Sequence, residues 1–451
     1  MAHPPDTIAA LATPTGTSAL AVIRISGPDT ARLVREICGA APPPRVAHRT
    51  DYRDRAGGLV DDVLTTFFQA PASYTGEDVL EISCHGNPFI AQRILGDLLA
   101  RGCRAAAPGE FTQRAFLHGR VDLSQAEAVM DLIHARSERA LAAANQQLRG
   151  ALGRHMAGLV DGLLGVLARI EAYIDFPEED LPDEDRALVQ SEIARLSLET
   201  GRLLATNRYG DVLREGLKTV ILGRPNAGKS MLLNRLLGRE RALVSPEPGT
   251  TRDYLEERII IGPHSLRLID TAGLNPSPAP LEQRGIELSL ERAREADLIL
   301  LVFDSSLPAP TLPPEIMASL TPARTLVVAN KADLPPHPEN NIQFKQFELV
   351  TISSATGSGL EDLQAALVRR AEAFAVSVGA ELIAINARHA DALERAKTCL
   401  AEAKAKLEAN EATELVASEL REALAAYSEI AGRVDNERML DHLFSSFCIG
   451  K

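Results

Sequence analysis

The sequence predicts a multidomain chain in which a small α+β domain comes first and an α/β nucleotide-binding domain lies between two stretches of long helices. Three observations carry this reading. The stretch from Lys218 to Ser230, KTVILGRPNAGKS, is an apolar strand-type run that stops at a glycine and reopens as a helix, with the spacing G-x-x-x-x-G-K-S. Ahead of it, short apolar runs alternate with helical patterns over the first 118 residues or so. On both sides of the glycine-rich loop, leucines recur at helical spacing among Ala, Glu and Arg.

At 451 residues the chain exceeds one ordinary core, and its length suggests about three domains. With 45% hydrophobic and 24% charged residues it reads as soluble and globular. Five cysteines, Cys38, Cys84, Cys103, Cys399 and Cys448, are an odd number without metal-type spacing, so neither a disulfide framework nor a zinc site is expected, and a reducing cytosol fits. No early stretch has a basic start and apolar core, and no apolar run approaches membrane-spanning length, so a cytoplasmic protein with no membrane partner is expected. A formal net charge of −13 argues against a surface coated for nucleic acid; any RNA contact must be local or shared with a partner.

In chain order, residues 19–26 (ALAVIRIS) form a strand ended by Gly27-Pro28, and a helix follows around Ala31 to Val34. Residues 63–69 and 79–83 are two more strands on either side of the turn-rich SYTGED, and residues 91–99 form a helix. His85, Glu77 and Glu81 carry groups capable of chemistry, but loop solvation or strand-edge polarity is the favoured reading of them. Leu159, Leu163, Leu167, Ile170 and Ile174 give one apolar helix face. Pro177 and Pro182 in an acidic run break the pattern before a helix over about 186–206. Beyond the nucleotide domain, Leu393, Leu400 and Leu407 lie a heptad apart, which suits either a coiled coil or packing on the earlier helices. In the second case one helical domain is split in sequence, with the nucleotide domain inserted into it.

The glycine-rich loop is a phosphate cradle. Gly223 and Gly228 stand where the backbone turns tightly and approaches an anion at a helix N-terminus, Lys229 reaches the outer phosphates, and the Ser230 hydroxyl holds Mg²⁺. Four further motifs follow in the order used by GTP-binding switches. In GTTRD, Thr251 completes the Mg²⁺ shell when a γ-phosphate is present. Asp270-Thr271-Ala272-Gly273 places a carboxylate near the metal through water and an amide near the γ-phosphate. In Asn330-Lys331-Ala332-Asp333, the Asp333 carboxylate matches the ring N–H and amino group of guanine, a donor pair adenine lacks. Ser354-Ala355-Thr356, after a strand read as 349–353, supplies backbone contacts to the base. Leu274 follows the second-switch glycine where many switches carry a water-orienting glutamine, so another group must position water. Glu282 is a candidate, and an exposed helix-start glutamate is the alternative.

Across essentially its whole length the chain resembles the MnmE (TrmE) family of bacterial tRNA modification GTPases. The matching stretches are AVIRISG, SYTGEDVLEI, PGEFTQRAFLHGRVDLSQAEAV, LREG, GRPNAGKS, PGTTRD, DTAGL, NKAD and the terminal FCIGK. The resemblance implies an N-terminal folate-binding and dimerising domain (1–118), a helical domain in two segments (119–215 and 378–451), and an inserted Ras-like G domain (216–377). It further implies a homodimer. With the FAD protein MnmG, in a heterotetrameric or larger complex, the family adds an aminomethyl or carboxymethylaminomethyl group at carbon 5 of the wobble uridine of certain tRNAs, 5-formyl- or methylene-tetrahydrofolate supplying the carbon and GTP hydrolysis driving the cycle.

Carried onto this sequence, the implied folate contacts are Arg24, Glu81, Arg120 and Lys451. The implied nucleotide contacts are Asn226, Ala227, Gly228, Lys229, Ser230 and Met231, then Ser245, Thr250 and Thr251, together with the switch and base motifs above. A K⁺ site is implied at Asn226 with backbone carbonyls of Ser245, Glu247 and Thr250, in the charge-neutralising place of an arginine finger. Glu282 matches the family's catalytic glutamate, with Lys229 and Thr251 completing the catalytic set. Three departures stand out. Pro276, Pro278 and Pro280 stiffen the second switch, Arg120 stands where lysine also occurs, and Cys448 is open between a chemical role and a buried structural thiol. The competing reading is a ribosome-assembly or RNA-binding switch GTPase, which would be expected to carry a basic RNA-binding domain that this sequence does not show. A folate-binding scaffold with vestigial hydrolysis is disfavoured by Lys229, Ser230, Thr251 and Asp270.

Overall fold

A computed structural model describes residues 6–175, 183–240, 256–270, 291–310, 312, 314–338, 344–376, 383–431, 444 and 447–450. The chain divides into two compact units, one of Met1–Met130, Gly153–Met156 and Ser428–Lys451, the other of Asp131–Leu152 and Ala157–Tyr427.

The first unit carries a six-stranded sheet of β1 (Ile8–Leu11), β2 (Leu20–Ser26), β3 (Ala47–Arg53), β4 (Leu59–Phe68), β5 (Val79–His85) and β6 (Arg104–Ala105), in the order β3-β4-β5-β2-β1-β6. All pairings are antiparallel except β1 with β6. Helices α1 (Thr30–Cys38) and α2 (Pro88–Ala100) share one core with alternate strand residues, among them Ile23, Ile25, Leu80 and Ile82. Because side chains alternate along a strand, Arg24, Ser26 and Glu81 are sent to the opposite face, and the β2–β5 register sets Arg24 against Glu81. The β1, β3 and β6 strands escape sequence reading because β3 is a polar edge strand, AHRTDYR, and the other two are very short.

Helices α3 (Glu110–Leu117) and α4 (Leu123–His134) follow, and Phe444 and Phe447 return from the C-terminal stretch to pack with Leu123 and Ala126, their ring centroids 5.1 Å apart. Gly109 permits this approach: its φ is +67°, and a Cβ there would lie 2.6 Å from the Phe444 carbonyl oxygen.

An ion cluster ties the start of the chain to α3. Arg104 reaches Asp6 and Glu110 at 2.6 Å each, and Arg114 reaches Asp6 at 2.6 Å, Glu110 at 3.0 Å and Glu77 at 3.2 Å. Burial would raise the Asp6 and Glu110 carboxyls, but hydrogen bonds from Arg104 and Arg114 outweigh it and hold both below their ordinary values. Depressed carboxyls contribute stability above their unfolded pKa, and it is lost as pH falls through the folded one. Acid titration of unfolding should therefore show the N-terminal unit weakening below the ordinary carboxylate range, with a shallower slope in Glu110→Gln.

The second unit contains helices α5 (Glu138–Leu148), α6 (Ala151–Asp175, except its Gly153–Met156 stretch), α7 (Asp183–Ala205), α8 (Asn207–Glu215) and, after the nucleotide-binding sheet, α12 (Ala387–Glu408) and α13 (Thr413–Ala431, up to Tyr427). The α12 helix packs along α7. Leu393, Leu400 and Leu407 are buried there, Arg186 Nη1 donates to the Leu407 carbonyl at 3.2 Å, and Thr200 Oγ1 meets Tyr427 Oη of α13 at 2.5 Å. The heptad leucines thus pack inside the chain, as the split-domain reading requires. Pro177 and Pro182 lie outside the described residues.

Between α8 and α12 runs a second six-stranded sheet of β7 (Leu217–Leu222), β8 (Glu256–Ile261), β9 (His264–Asp270), β10 (Leu298–Asp304), β11 (Thr325–Asn330) and β12 (Glu348–Thr351), ordered β12-β11-β10-β7-β9-β8 and parallel except for β8 with β9. The β10 and β11 strands are almost wholly buried, as expected for parallel strands covered on both faces. Helices α9 (Lys229–Glu240) and α11 (Leu360–Val376) cover one face, and α10 (Pro314–Ser319) contributes to the other core. The β12 strand stops at Thr351, two residues short of the expected 349–353, which leaves Ser353 in the loop beyond it. Among the described residues, no helix is long and apolar enough to cross a membrane.

Candidate functional site

In open α/β sheets, ligands bind beyond the C-terminal ends of the parallel strands. Here those ends carry Gly223 to Ser230 after β7, Asp270 at the end of β9, Asn330 to Asp333 at and after β11 and Ser353 to Gly357 after β12. Gly223 has φ +155°, and a Cβ there would lie 2.1 Å from the Val302 carbonyl oxygen; Gly228 has φ +90°, and a Cβ would lie 2.2 Å from Asn330 Nδ2. Neither position admits a side chain, so the loop lies close against β10 and β11 with its amides at the start of α9, where they suit an anion. Asn226 adopts φ +64° within the turn. Lys229 is buried and its Nζ donates to the carbonyls of Gly223 at 2.8 Å and Arg224 at 3.0 Å, so its charge lies within the turn itself. Ala227 is buried, whereas Ser230 and Met231 are exposed at the helix start.

Asn330 joins the two halves of the site. Its Nδ2 donates to the Ala227 carbonyl at 2.8 Å and its Oδ1 accepts from the Ser354 amide at 2.9 Å, both buried. Lys331, at φ +65°, donates to Asp304 Oδ2 at 2.6 Å. Burial would raise Asp304, but the Lys331 bond and donation from Ser306 prevail and hold it below its ordinary value. The Asp333 Oδ1 accepts from the Ser353 hydroxyl at 2.5 Å, and Ser353 Oγ accepts from the Thr356 amide at 3.1 Å. Arg235 on α9 donates from Nε to the Ser354 carbonyl at 3.0 Å and from Nη2 to the Ala355 carbonyl at 2.5 Å. Sequence reasoning misses Ser353, Arg235 and Asp304. Reading the strand through Ser353 hides the first, and the others act across long sequence separations.

Nucleotide-site residues Ser245, Glu247, Thr250, Thr251, Thr271, Ala272, Gly273 and Glu282, together with Leu274, Pro276, Pro278 and Pro280, lie outside the described residues. The Asp270 backbone pairs in register with Ile221 on β7, next to the cradle strand's end.

In the first unit, Arg24 Nε and Nη2 donate to Glu81 Oε1 at 3.0 and 2.8 Å, and Nη1 donates to the Gly450 carbonyl at 3.1 Å. The guanidinium lies 5.5 Å from the Tyr74 ring centroid and 5.7 Å from that of Phe111, a cation between two aromatic faces. Gly450, at φ +92°, lets the terminal segment pass the β1 backbone, since a Cβ would sit 2.4 Å from the Leu11 carbonyl oxygen. Arg120 is exposed and borders the same 74–76 segment, its Cγ 3.4 Å from where a Cβ on Gly76 would stand. Arg24, Glu81 and the C-terminal segment are therefore brought together, with Arg120 beside the Tyr74 turn. Lys451 lies outside the described residues. The Cys448 side chain is exposed, which overturns the buried-thiol alternative; its backbone carbonyl accepts from the Gly109 amide at 3.2 Å. Of the other candidates, Glu77 belongs to the ion cluster with Arg114, and His85 Nδ1 meets Asp61 Oδ1 at 2.8 Å on the surface.

Comparison with known proteins accords with this layout. The family model described as "GTP-binding protein TrmE N-terminus" matches residues 7–120, and the one described as "MnmE helical domain" matches residues 123–448. The chain is 60% identical over 447 residues to the tRNA modification GTPase MnmE of Opitutus terrae, covering 99% of each chain. It is 44% identical to that of Akkermansia muciniphila over the full length of both, and 42% identical to that of Symbiobacterium thermophilum over 99% of each. With two domain models spanning nearly all of its length and relatives this similar from end to end, the chain belongs to the MnmE (TrmE) family of tRNA modification GTPases.

Proposed function

We propose that this chain is a GTP-hydrolysing enzyme of tRNA modification that acts in the cytoplasm as a homodimer joined through its N-terminal domain. With an MnmG-type flavoprotein and a tetrahydrofolate one-carbon donor, it modifies carbon 5 of the wobble uridine. The domain assignment that goes with this is 1–118 for folate binding and dimerisation, 119–215 with 378–451 for the helical domain, and 216–377 for the G domain. The observation that supports it most strongly is the buried Asn330 linkage, which ties the phosphate cradle at Ala227 to the loop whose Ser353 holds the Asp333 carboxylate. That arrangement fits one ligand with a polyphosphate at one end and a guanine edge at the other.

In this reading the cradle amides and Lys229 hold the β- and γ-phosphates, and Ser230 and Thr251 hold Mg²⁺, with Asp270 acting through water. Glu282 orients the attacking water, while Asn226 with the Ser245, Glu247 and Thr250 carbonyls holds K⁺, whose charge offsets what builds up between the phosphates. Arg24, Glu81, Arg120 and Lys451 hold the folate, with the guanidiniums suited to its carboxylates and Glu81 to an amino-pyrimidine edge. Cys448, exposed beside that segment, is the candidate for a direct role.

Turnover by the full-length protein tests the switch assignment. GTP but not ATP should be hydrolysed, and at constant ionic strength K⁺ should support a faster rate than Na⁺, with the advantage lost in Asn226→Ala. Equal rates in the two salts would remove the K⁺ site, and a K⁺ advantage that survives in Asn226→Ala would remove Asn226 as its ligand.

A further inference from the structure

We propose that Arg235 is a positioning residue for guanine selection, holding the base-reading loop from the helix that starts at the phosphate cradle. This rests on the guanine-nucleotide reading above. Arg235 lies six residues along α9 from Lys229, about 9 Å of helix rise from the cradle. Its guanidinium is forked across two successive carbonyls, those of Ser354 at 3.0 Å and Ala355 at 2.5 Å.

In a trans peptide the C=O and the following N–H point in opposite directions within one plane. The Ser354–Ala355 and Ala355–Thr356 peptides are both trans. Turning the Ser354 carbonyl toward Arg235 therefore turns the Ala355 amide to the other side of the loop. Turning the Ala355 carbonyl the same way aims the Thr356 amide at Ser353 Oγ, which it meets at 3.1 Å. The Ser353 hydroxyl in turn donates to Asp333 Oδ1 at 2.5 Å. The guanidinium thus stands at one end of a donor-to-acceptor chain that ends on the carboxylate assigned to guanine, and each link polarises the next in the same sense. The Gly357 amide closes the turn on the Ser353 carbonyl at 2.8 Å. A lysine at 235 would keep the charge but, as a point donor, could not hold both peptide planes.

The test compares GDP with inosine diphosphate, which lacks only the 2-amino group read by Asp333, in full-length parent, Arg235→Ala and Arg235→Lys, by isothermal titration. The parent should prefer GDP. In Arg235→Ala that preference should fall about tenfold, as expected for losing two hydrogen bonds that hold the loop, and Arg235→Lys should fall between the two. The melting temperature of the nucleotide-free protein should stay near that of the parent. A merely structural arginine would weaken both nucleotides alike, so an unchanged GDP-to-inosine-diphosphate ratio in Arg235→Ala overturns the proposal. If the alanine variant does not fold, the lysine variant, which keeps helix and charge, decides the matter by the same ratio. A parent that binds both diphosphates equally would instead overturn the guanine reading itself.

Discussion

Asp333→Asn is expected to weaken GTP binding by roughly 10²- to 10⁴-fold and to transfer preference to xanthosine triphosphate. In the proposed base site the carboxylate would accept from two guanine donors, and a charged hydrogen bond contributes about 1.5 to 3 kcal/mol, so losing the charged acceptor from both would remove about 3 to 6 kcal/mol. The amide also turns an NH₂ group toward the purine, which opposes the guanine 2-amino group and suits the xanthine oxygen at the same position. Ser353 makes this a clean substitution, because its hydroxyl, which donates to Asp333 Oδ1, can donate equally to the oxygen of the substituted amide. The measurement is competition between GTP and xanthosine triphosphate in parent and variant. Unchanged GTP affinity in the variant would remove Asp333 from the base site.

Glu282→Ala should lower the GTP turnover number by about 10² to 10⁴, the usual range for losing a group that moves or orients a proton-bearing nucleophile, while nucleotide affinity stays near that of the parent. An effect confined to turnover is the signature of an interaction made only in the transition state. Single-turnover hydrolysis alongside nucleotide titration separates the two quantities. Loss of affinity with unchanged turnover would assign Glu282 to ground-state binding, and no change in either would leave the water to another residue.

The parts of this protein that are legible in its sequence are those whose signal is local. The cradle announces itself because glycine is required at two close approaches, Gly223 against Val302 and Gly228 against Asn330, and because the buried parallel strand β7 leading into it reads as an apolar run. Elements without an apolar pattern stay hidden, as with the polar edge strand β3. At the guanine loop the sequence misleads about where the strand ends. Apolar character continues to Ile352, so the strand reads through Ser353, whereas the ladder ends at Thr351 and leaves Ser353 to face Asp333. Contacts that depend on topology leave no sequence signal. Arg24 meets Glu81 because β2 and β5 are neighbours in one register, and it meets Gly450 because the C-terminal segment returns past β1. Arg235 and the Ser354 carbonyl are 119 residues apart, joined only once α9 and the β12 loop lie side by side.

In the proposed function, guanine-nucleotide hydrolysis by this chain serves modification of the wobble uridine. Nucleoside mass spectrometry of total tRNA from three strains bears on it without intermediaries: one strain with the parent gene, one lacking it, and one carrying Glu282→Ala as the sole copy. The first should contain a carbon-5-modified uridine of the aminomethyl or carboxymethylaminomethyl type, the second should lack it, and the third should lose nearly all of it despite normal protein levels. Full modification in the strain lacking the gene would contradict the assigned reaction, and full modification with Glu282→Ala would contradict its dependence on hydrolysis.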